Sequence, residues 1–406
     1  MRRAPALSFL LVTVFLDLLG LGLVIPILPS LMTAVAGDPA RAVFWSGVLG
    51  SAYGLLQFAI APLLGRAADR YGRRPVLLLS LTALGVDWLA HAAVPGPAAL
   101  LFFHALAGAC AGTTIVVNAY VADVTPERDR ARAYGRIGAA AGLGFVAGPI
   151  VGGLLGGVDV RLPFLAAAGL SFAGVAWGWF VLPESRPGSV GPVEPAEPVE
   201  PAESGAAGCR RMVDPVGAIA GVLRRNGLGR LAYARLCADV ARMIQQSVWA
   251  FFLAYQFGFG TAQAGVVMAV SATAGALFQA RAAGPVVRML GDETATVAGT
   301  WIGVAAFAVA GVADEPWMLY LSMAAGILGS FAGPASQSWI ARSTRAGEHG
   351  AVQGALTGMA AIAETLVPIA ASAAFAALHS YGKAGLIFFG AAVFASASAL
   401  VLTLRR

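Results

Sequence analysis

Long apolar blocks alternate along this chain with short clusters of Arg, Asp, Gly and Pro. The blocks fall at about 7–30, 43–64, 75–94, 98–121, 134–157 and 162–182. After a polar interval they resume at about 231–257, 262–283, 294–312, 316–340, 350–378 and 384–404. Most are close to the roughly 20 residues that a helix needs to cross about 30 Å of hydrocarbon. The pattern predicts twelve transmembrane helices. The interval at 183–230 is the one long polar stretch, and it divides the spans six and six. Within it, residues 192–203 repeat Pro, Val or Ala, and Glu, a tract that cannot bury a core and is expected to be extended and solvated. Asp214-Pro215 then opens a short amphipathic helix, expected to lie along the membrane surface and to end near Asn226-Gly227. The expected organisation is a first half at 1–182, a linker at 183–230 and a second half at 231–406.

Composition agrees with the pattern. Hydrophobic residues are 58% of the chain and charged residues 12%, against about half and about a quarter in soluble domains. The 51 Gly residues suit close helix packing in lipid. The net charge of +6 does not point to nucleic acid, because the Arg residues sit beside apolar runs rather than on one face. Met1-Arg2-Arg3 and the run after it resemble a signal peptide. The run passes Asp17 to Pro29 without a small-residue cleavage site, so a retained first span is expected. Cys110, Cys209 and Cys237 show no CxxC spacing, and no disulfide or metal site is expected from them.

The Arg residues also set an orientation. With the N-terminus in the cytoplasm, the inside segments hold Arg2, Arg3, Arg66, Arg70, Arg73, Arg74, Arg128, Arg130, Arg132 and Arg136. They continue with Arg186, Arg210, Arg211, Arg224, Arg225, Arg230, Arg281, Arg288, Arg342, Arg345, Arg405 and Arg406. The opposite loops hold only Arg41, Arg161 and Lys383. This asymmetry predicts both termini inside. A weak repeat relates the halves: Gly65 to Arg74 follows span two, and Gly284 to Glu293 follows span eight with the same Gly spacing. The charges are inverted, with Asp69 answering Arg288 and Arg73-Arg74 answering Asp292-Glu293. The expected fold is therefore an all-α membrane protein of twelve transmembrane helices in two six-helix pseudo-symmetric halves.

Three motifs carry candidate chemistry. Gly65-Arg-Ala-Ala-Asp69-Arg70-Tyr-Gly72-Arg73-Arg74 is a tight inside turn, with Gly65 and Gly72 placed for close approach or positive φ. Span five carries Gly138, Gly142, Gly144, Gly148-Pro149 and Gly152-Gly153, small residues that make a flat packing face beside a helix-bending proline. Span one carries Asp17, an acid in a membrane helix, where charge is expensive and marks function.

Together with Tyr53, Gln57, Pro62 and Asp87, these motifs resemble the major facilitator superfamily, and within it the tetracycline/proton antiporter branch of drug exporters. The resemblance is strongest over 8–160 and thinner after the linker. It implies the major facilitator fold and proton-driven antiport of a drug or natural product, without a cofactor or metal, by a monomer in the bacterial cytoplasmic membrane. Its partners would be a small-molecule substrate, protons and the bilayer, with no nucleic acid. It also implies proton-coupling roles for Asp17 and Asp87, and an ion pair from Asp123, at the end of span four, to Arg70 or Arg73. Where the family places Arg in span four, this chain has His104. Two roles fit it: proton carrier near neutral pH, or a hydrogen bond in a packed bundle. Span nine has no acid between Glu293 and Asp314, a departure that leaves the substrate open.

Span seven is unusually charged. Arg235, Asp239 and Arg242 stand at i, i+4 and i+7 on one helix face. They form either an internal salt bridge or a cavity wall that attracts an acidic group. Gln245 and Gln246 follow, and Glu364 in span eleven is a possible partner for Arg242. Gln57, Asn118 and Gln337 are candidates for polar cavity contacts, Asn118 and Gln337 equally for interhelical bonds. Lys383 is the one Lys and no phosphate-binding G-x-x-x-x-G-K loop exists, which argues against an ATP-driven pump. No Ser-His-Asp arrangement stands out, so an enzyme is not expected. Uptake or facilitated diffusion of a metabolite is the competing reading to export.

Overall fold

The computed structural model describes residues 3–185, 215–225, 227–344 and 348–404. The Pro/Glu tract and Cys209 lie outside them. The chain divides into two compact units, Met1–Val193 with Leu253–Ala272, and Glu194–Phe252 with Thr273–Arg406.

The first unit contains α1 (Arg3–Val24), α2 (Leu28–Ala36), α3 (Pro39–Tyr71), α4 (Arg73–Ala93), α5 (Pro97–Ala109), α6 (Thr113–Val124), α7 (Glu127–Val158) and α8 (Leu162–Val181). Span one is shorter than the apolar run predicts. Its helix stops at Val24, and a turn carries the chain through Pro26 before α2 restarts with Pro29 in its first turn. Proline lacks the amide that would continue the helix but fits a first turn. Asp38 caps α3: its Oδ1 accepts from Arg41 N at 3.0 Å, with Pro39 next in sequence.

Span four is two helices, α5 and α6, separated at Cys110–Gly112. The amide of Gly112, in the break, donates to the Cys110 carbonyl oxygen at 2.8 Å and to Ser80 Oγ of α4 at 3.2 Å. Those bonds satisfy a buried polar group where water cannot. Gly108 brings α5 onto α3 so closely that a Cβ would lie 2.6 Å from the Tyr53 carbonyl oxygen. The α1–α7 contact rests on Gly144, Gly148 and Gly152, one per helical turn. Added Cβ atoms there would strike the backbone of Phe15, Gly22 and Leu23. Gly153 faces Thr261 and Gly265, and Pro149 lies inside α7 with its carbonyl against Gly265. Gly142 and Gly138 do not join this face; space around them is open. The packing stripe is thus narrower than the span-five glycines suggest, because only every fourth one turns toward α1.

The chain continues with α9 (Pro215–Leu223), α10 (Leu228–Phe257) and α11 (Thr261–Phe278), then a π-helical segment (Gln279–Ala283). After it come α12 (Gly284–Leu290), α13 (Asp292–Gly311), α14 (Pro316–Gly329), α15 (Ala332–Ser343), α16 (His349–Ser380) and α17 (Ile387–Thr403). The short helix after the linker is α9, and Gly227 follows at φ 83°. It buries Val222 with Leu228, Leu356 and Met359 rather than lying free. Span ten breaks between α14 and α15, the counterpart of the break in span four. Here Gly299 and Gly329 meet backbone to backbone.

Among the described residues, eleven stretches are long and apolar enough to cross a membrane. The twelfth, α10, is 30 residues long but carries Arg230, Arg235, Asp239 and Arg242. Twelve spans in two sets of six follow.

Candidate functional site

The most buried charge in the first unit is on α4. Asp87 is 0% exposed, and two imidazoles reach it. His104 Nδ1, from α5, lies 2.7 Å from Asp87 Oδ2. His91 Nδ1, one turn along α4, donates to the Asp87 carbonyl oxygen at 2.9 Å and stands 3.3 Å from Oδ1. Oδ1 itself takes no hydrogen bond among the described residues. Local packing explains the arrangement. The close α3–α5 approach at Gly108 sets the Tyr53 ring 4.9 Å from that of His104. Phe164 of α8, fully buried, stacks on His91 at 5.5 Å and 11°. Asp17 is half-buried on α1.

Asp87, His104 and Tyr53 thus come together. His91 escapes the reading from sequence, although its i+4 spacing from Asp87 is the signal that finds it. One carboxylate between two imidazoles is uncharged overall when a single imidazole holds a proton. It can therefore store or pass a proton within a dry bundle.

A second cluster lies where α3 meets α4. Gly72 has φ 99° and ψ 159°, a conformation reserved almost entirely for Gly. The carboxylate of Glu184 sits where a Cβ would project from Gly72, accepting from Arg73 N at 2.8 Å and Arg74 N at 3.1 Å. Arg73, 7% exposed, pairs with Asp69 at 2.7 Å and with Asp123 at 3.2 Å. Ser185 also donates to Asp123. Of the two partners expected for Asp123, the geometry supplies Arg73, while Arg70 stacks over Tyr71. Arg74 donates to the Trp179 carbonyl oxygen. Gly65 meets nothing within contact range, so the close approach expected of it is absent. Glu184 carries no local signal, because its partners are more than a hundred positions away in sequence.

The second unit repeats this cluster with opposite charge. Gly291, at φ 76° and ψ 156°, occupies the place of Gly72. Asp292, 6% exposed, follows it as Arg73 follows Gly72, and pairs with Arg342 at the end of α15. Ser338 donates to Asp292 at 2.6 Å. Asp123 lies 50 positions after Arg73, and Arg342 follows Asp292 by the same interval.

The charged face of α10 forms a third cluster. Arg235 Nε donates to Asp239 at 2.9 Å, Arg242 lies 3.5 Å from Asp239, and Glu364 of α16 lies 3.9 Å from Arg242. Arg242 also donates to Gln246. Arg235, Asp239 and Arg242 line a cavity of about 190 Å³ with Thr296, Thr300 and Ser336. Both readings of the triplet hold at once, since the salt bridge is the cavity wall. Gln245 is half-buried outside this lining, as are the exposed Gln337 and Glu364. In the first unit Gln57 is half-buried, and the exposed Asn118 offers its carbonyl oxygen to Tyr134. Within the second unit, Gln245, Gln337 and Glu364 do not join the lining of this cavity.

Eleven apolar spans, a twelfth charged one, paired broken helices and buried ionisable clusters point to a polytopic membrane transporter. The family model for the Major Facilitator Superfamily matches residues 10–228, and the chain is 32% identical over 394 residues to the tetracycline resistance protein, class C, of Escherichia coli, covering 97% of this chain and 96% of the relative. The chain belongs to the Major Facilitator Superfamily. It is also 32% identical to the class G tetracycline resistance protein of Vibrio anguillarum, over 94% of this chain and 91% of that one. Among solved structures, a bacterial homolog of the human lysosomal transporter Spinster, inward-facing and unoccupied, superposes with a TM-score of 0.77 at 16% identity. That match covers 99% of this chain and 96% of that one, and it supports the fold.

Proposed function

We propose that this chain exports a tetracycline-like drug or natural product across the bacterial cytoplasmic membrane in exchange for protons. The observation that carries the reading is the similarity, over nearly the whole chain, to tetracycline resistance proteins. The buried cluster around Asp87 supports proton coupling. Proton loss leaves a carboxylate without compensation in apolar surroundings, at a cost of about 3–5 kcal/mol. That is enough to tie deprotonation to a change between two states separated by a few kcal/mol. Asp17, Asp87, His91 and His104 hold the proton in this scheme. The Arg-lined cavity of α10 takes an acidic group of the substrate, since 190 Å³ is smaller than the about 300 Å³ at which whole-ligand pockets begin. The Arg asymmetry of the loops supports both termini in the cytoplasm. No step requires a second chain, and a monomer is the working unit.

A drug-sensitivity panel in an efflux-deficient bacterial host tests the reading. Cells making the protein should accumulate less tetracycline-like drug, and an uncoupler should erase the difference. A substrate that enters down its own gradient, indifferent to the uncoupler, establishes uptake instead.

A further inference from the structure

We propose that Asp87, His91 and His104 form a binding site for a divalent transition-metal ion of the zinc class. One donor atom from each lies within 4.8 Å of the other two. Asp87 and His91 are four residues apart on α4, which puts both on one helix face, and His104 comes to them from α5. Two imidazoles and one carboxylate suit zinc, cobalt or nickel, whereas magnesium and calcium take oxygen donors.

The second observation is an under-satisfied oxygen. Asp87 Oδ1 is buried and accepts no hydrogen bond among the described residues, with His91 Nδ1 standing off at 3.3 Å. A cation between the imidazoles gives that oxygen a close partner. The spacing is close to what the ion needs. Ligands at about 2.0–2.2 Å from a tetrahedral zinc stand roughly 3.3 Å apart. His91 Nδ1 and Asp87 Oδ1 are already 3.3 Å apart. His104 Nδ1 and Asp87 Oδ2, at 2.7 Å, open by roughly half an ångström as zinc replaces the shared proton. To bind the ion through Nδ1, His91 gives up its bond to the Asp87 carbonyl oxygen at 2.9 Å and loses that proton, as metal binding to imidazole requires. The ion has a way in: the His104 side chain is 20% exposed, while Phe164 closes the His91 side. Three protein ligands leave a fourth position for water.

The test is independent of the transport reading, because it measures binding to the purified chain. Full-length protein in detergent, stripped with a chelator, is titrated with zinc chloride by calorimetry and with cobalt by visible absorption. One ion per chain is expected, with the strong cobalt bands of a tetrahedral site. His91→Gln and His104→Gln should each weaken zinc binding by roughly tenfold or more, and His379→Gln should leave it unchanged. Absence of zinc binding to the wild-type chain overturns the proposal, and that titration decides even if a variant does not fold. Undiminished affinity in the His91→Gln/His104→Gln double variant, or loss of it in His379→Gln, overturns it equally.

Discussion

At the scale of single residues, the environment of Asp87 decides the behaviour of the first unit. Asp87→Asn keeps the shape of the side chain but removes the charge that both imidazoles answer. Proton-coupled efflux should be abolished while the protein still inserts, as read by pH-driven drug uptake into inverted vesicles; undiminished pH-dependent transport would refute the coupling role. His91→Ala with His104→Ala should instead cost about 3–5 kcal/mol of stability, since together they strand a buried carboxylate, and thermal unfolding in detergent reads that loss. Gly72→Ala should destabilise by about 1–3 kcal/mol through its backbone conformation alone. It should cost more than Gly291→Ala, because the Glu184 carboxylate stands only at Gly72. Asp17 and Asp87 were legible in sequence because acids are rare and costly in membrane helices. His91 sits in an apolar stretch with no motif around it, and its role becomes visible only once Asp87 is known to be buried. Glu184 was illegible for a different reason: its bonds span the whole first half of the chain.

At the scale of elements, small residues decide which helices touch. Gly148→Leu should separate α1 from α7, since even a Cβ there lies 2.6 Å from Gly22 Cα. Reduced yield of folded protein in size-exclusion chromatography is the expected readout. Gly142→Ala should be neutral or stabilising by about 0.5–1 kcal/mol, because its surroundings are open and Ala favours helix. The positions of the spans were legible, because apolar length is a strong signal, but the helices of spans two, five and eight run seven residues past the apolar blocks at their charged ends. The breaks were not. Nothing in Ala109-Cys110-Ala111-Gly112 announces two helices, and the Gly112 amide in the break takes a second partner, Ser80, from another helix. Likewise, the nine glycines of span five gave no means of telling the three that face α1 from those that do not, since facing is a property of the partner.

At the scale of the whole molecule, two related halves carry unlike chemistry. The first holds the carboxylate–imidazole cluster, and the second holds the Arg-lined cavity of α10. The inverted charges of the repeat were legible in sequence, and the family resemblance already offered Asp123 as a partner; Arg342, the partner in the second half, was found by structure. Asp292→Arg alone should destabilise the second unit by setting two Arg side chains together. Asp292→Arg with Arg342→Asp should restore it, as judged by thermal unfolding. The inverted polarity has a consequence for how the chain assembles as it enters the bilayer. Sister repeats of one chain invite exchange, in which span four of one half docks on the turn of the other. Here an exchanged pairing sets Arg73 against Arg342, and Asp123 against Asp292, with like charges meeting in both places. Opposite polarity thus works as a key that lets each half recognise its own spans and reject those of its sibling.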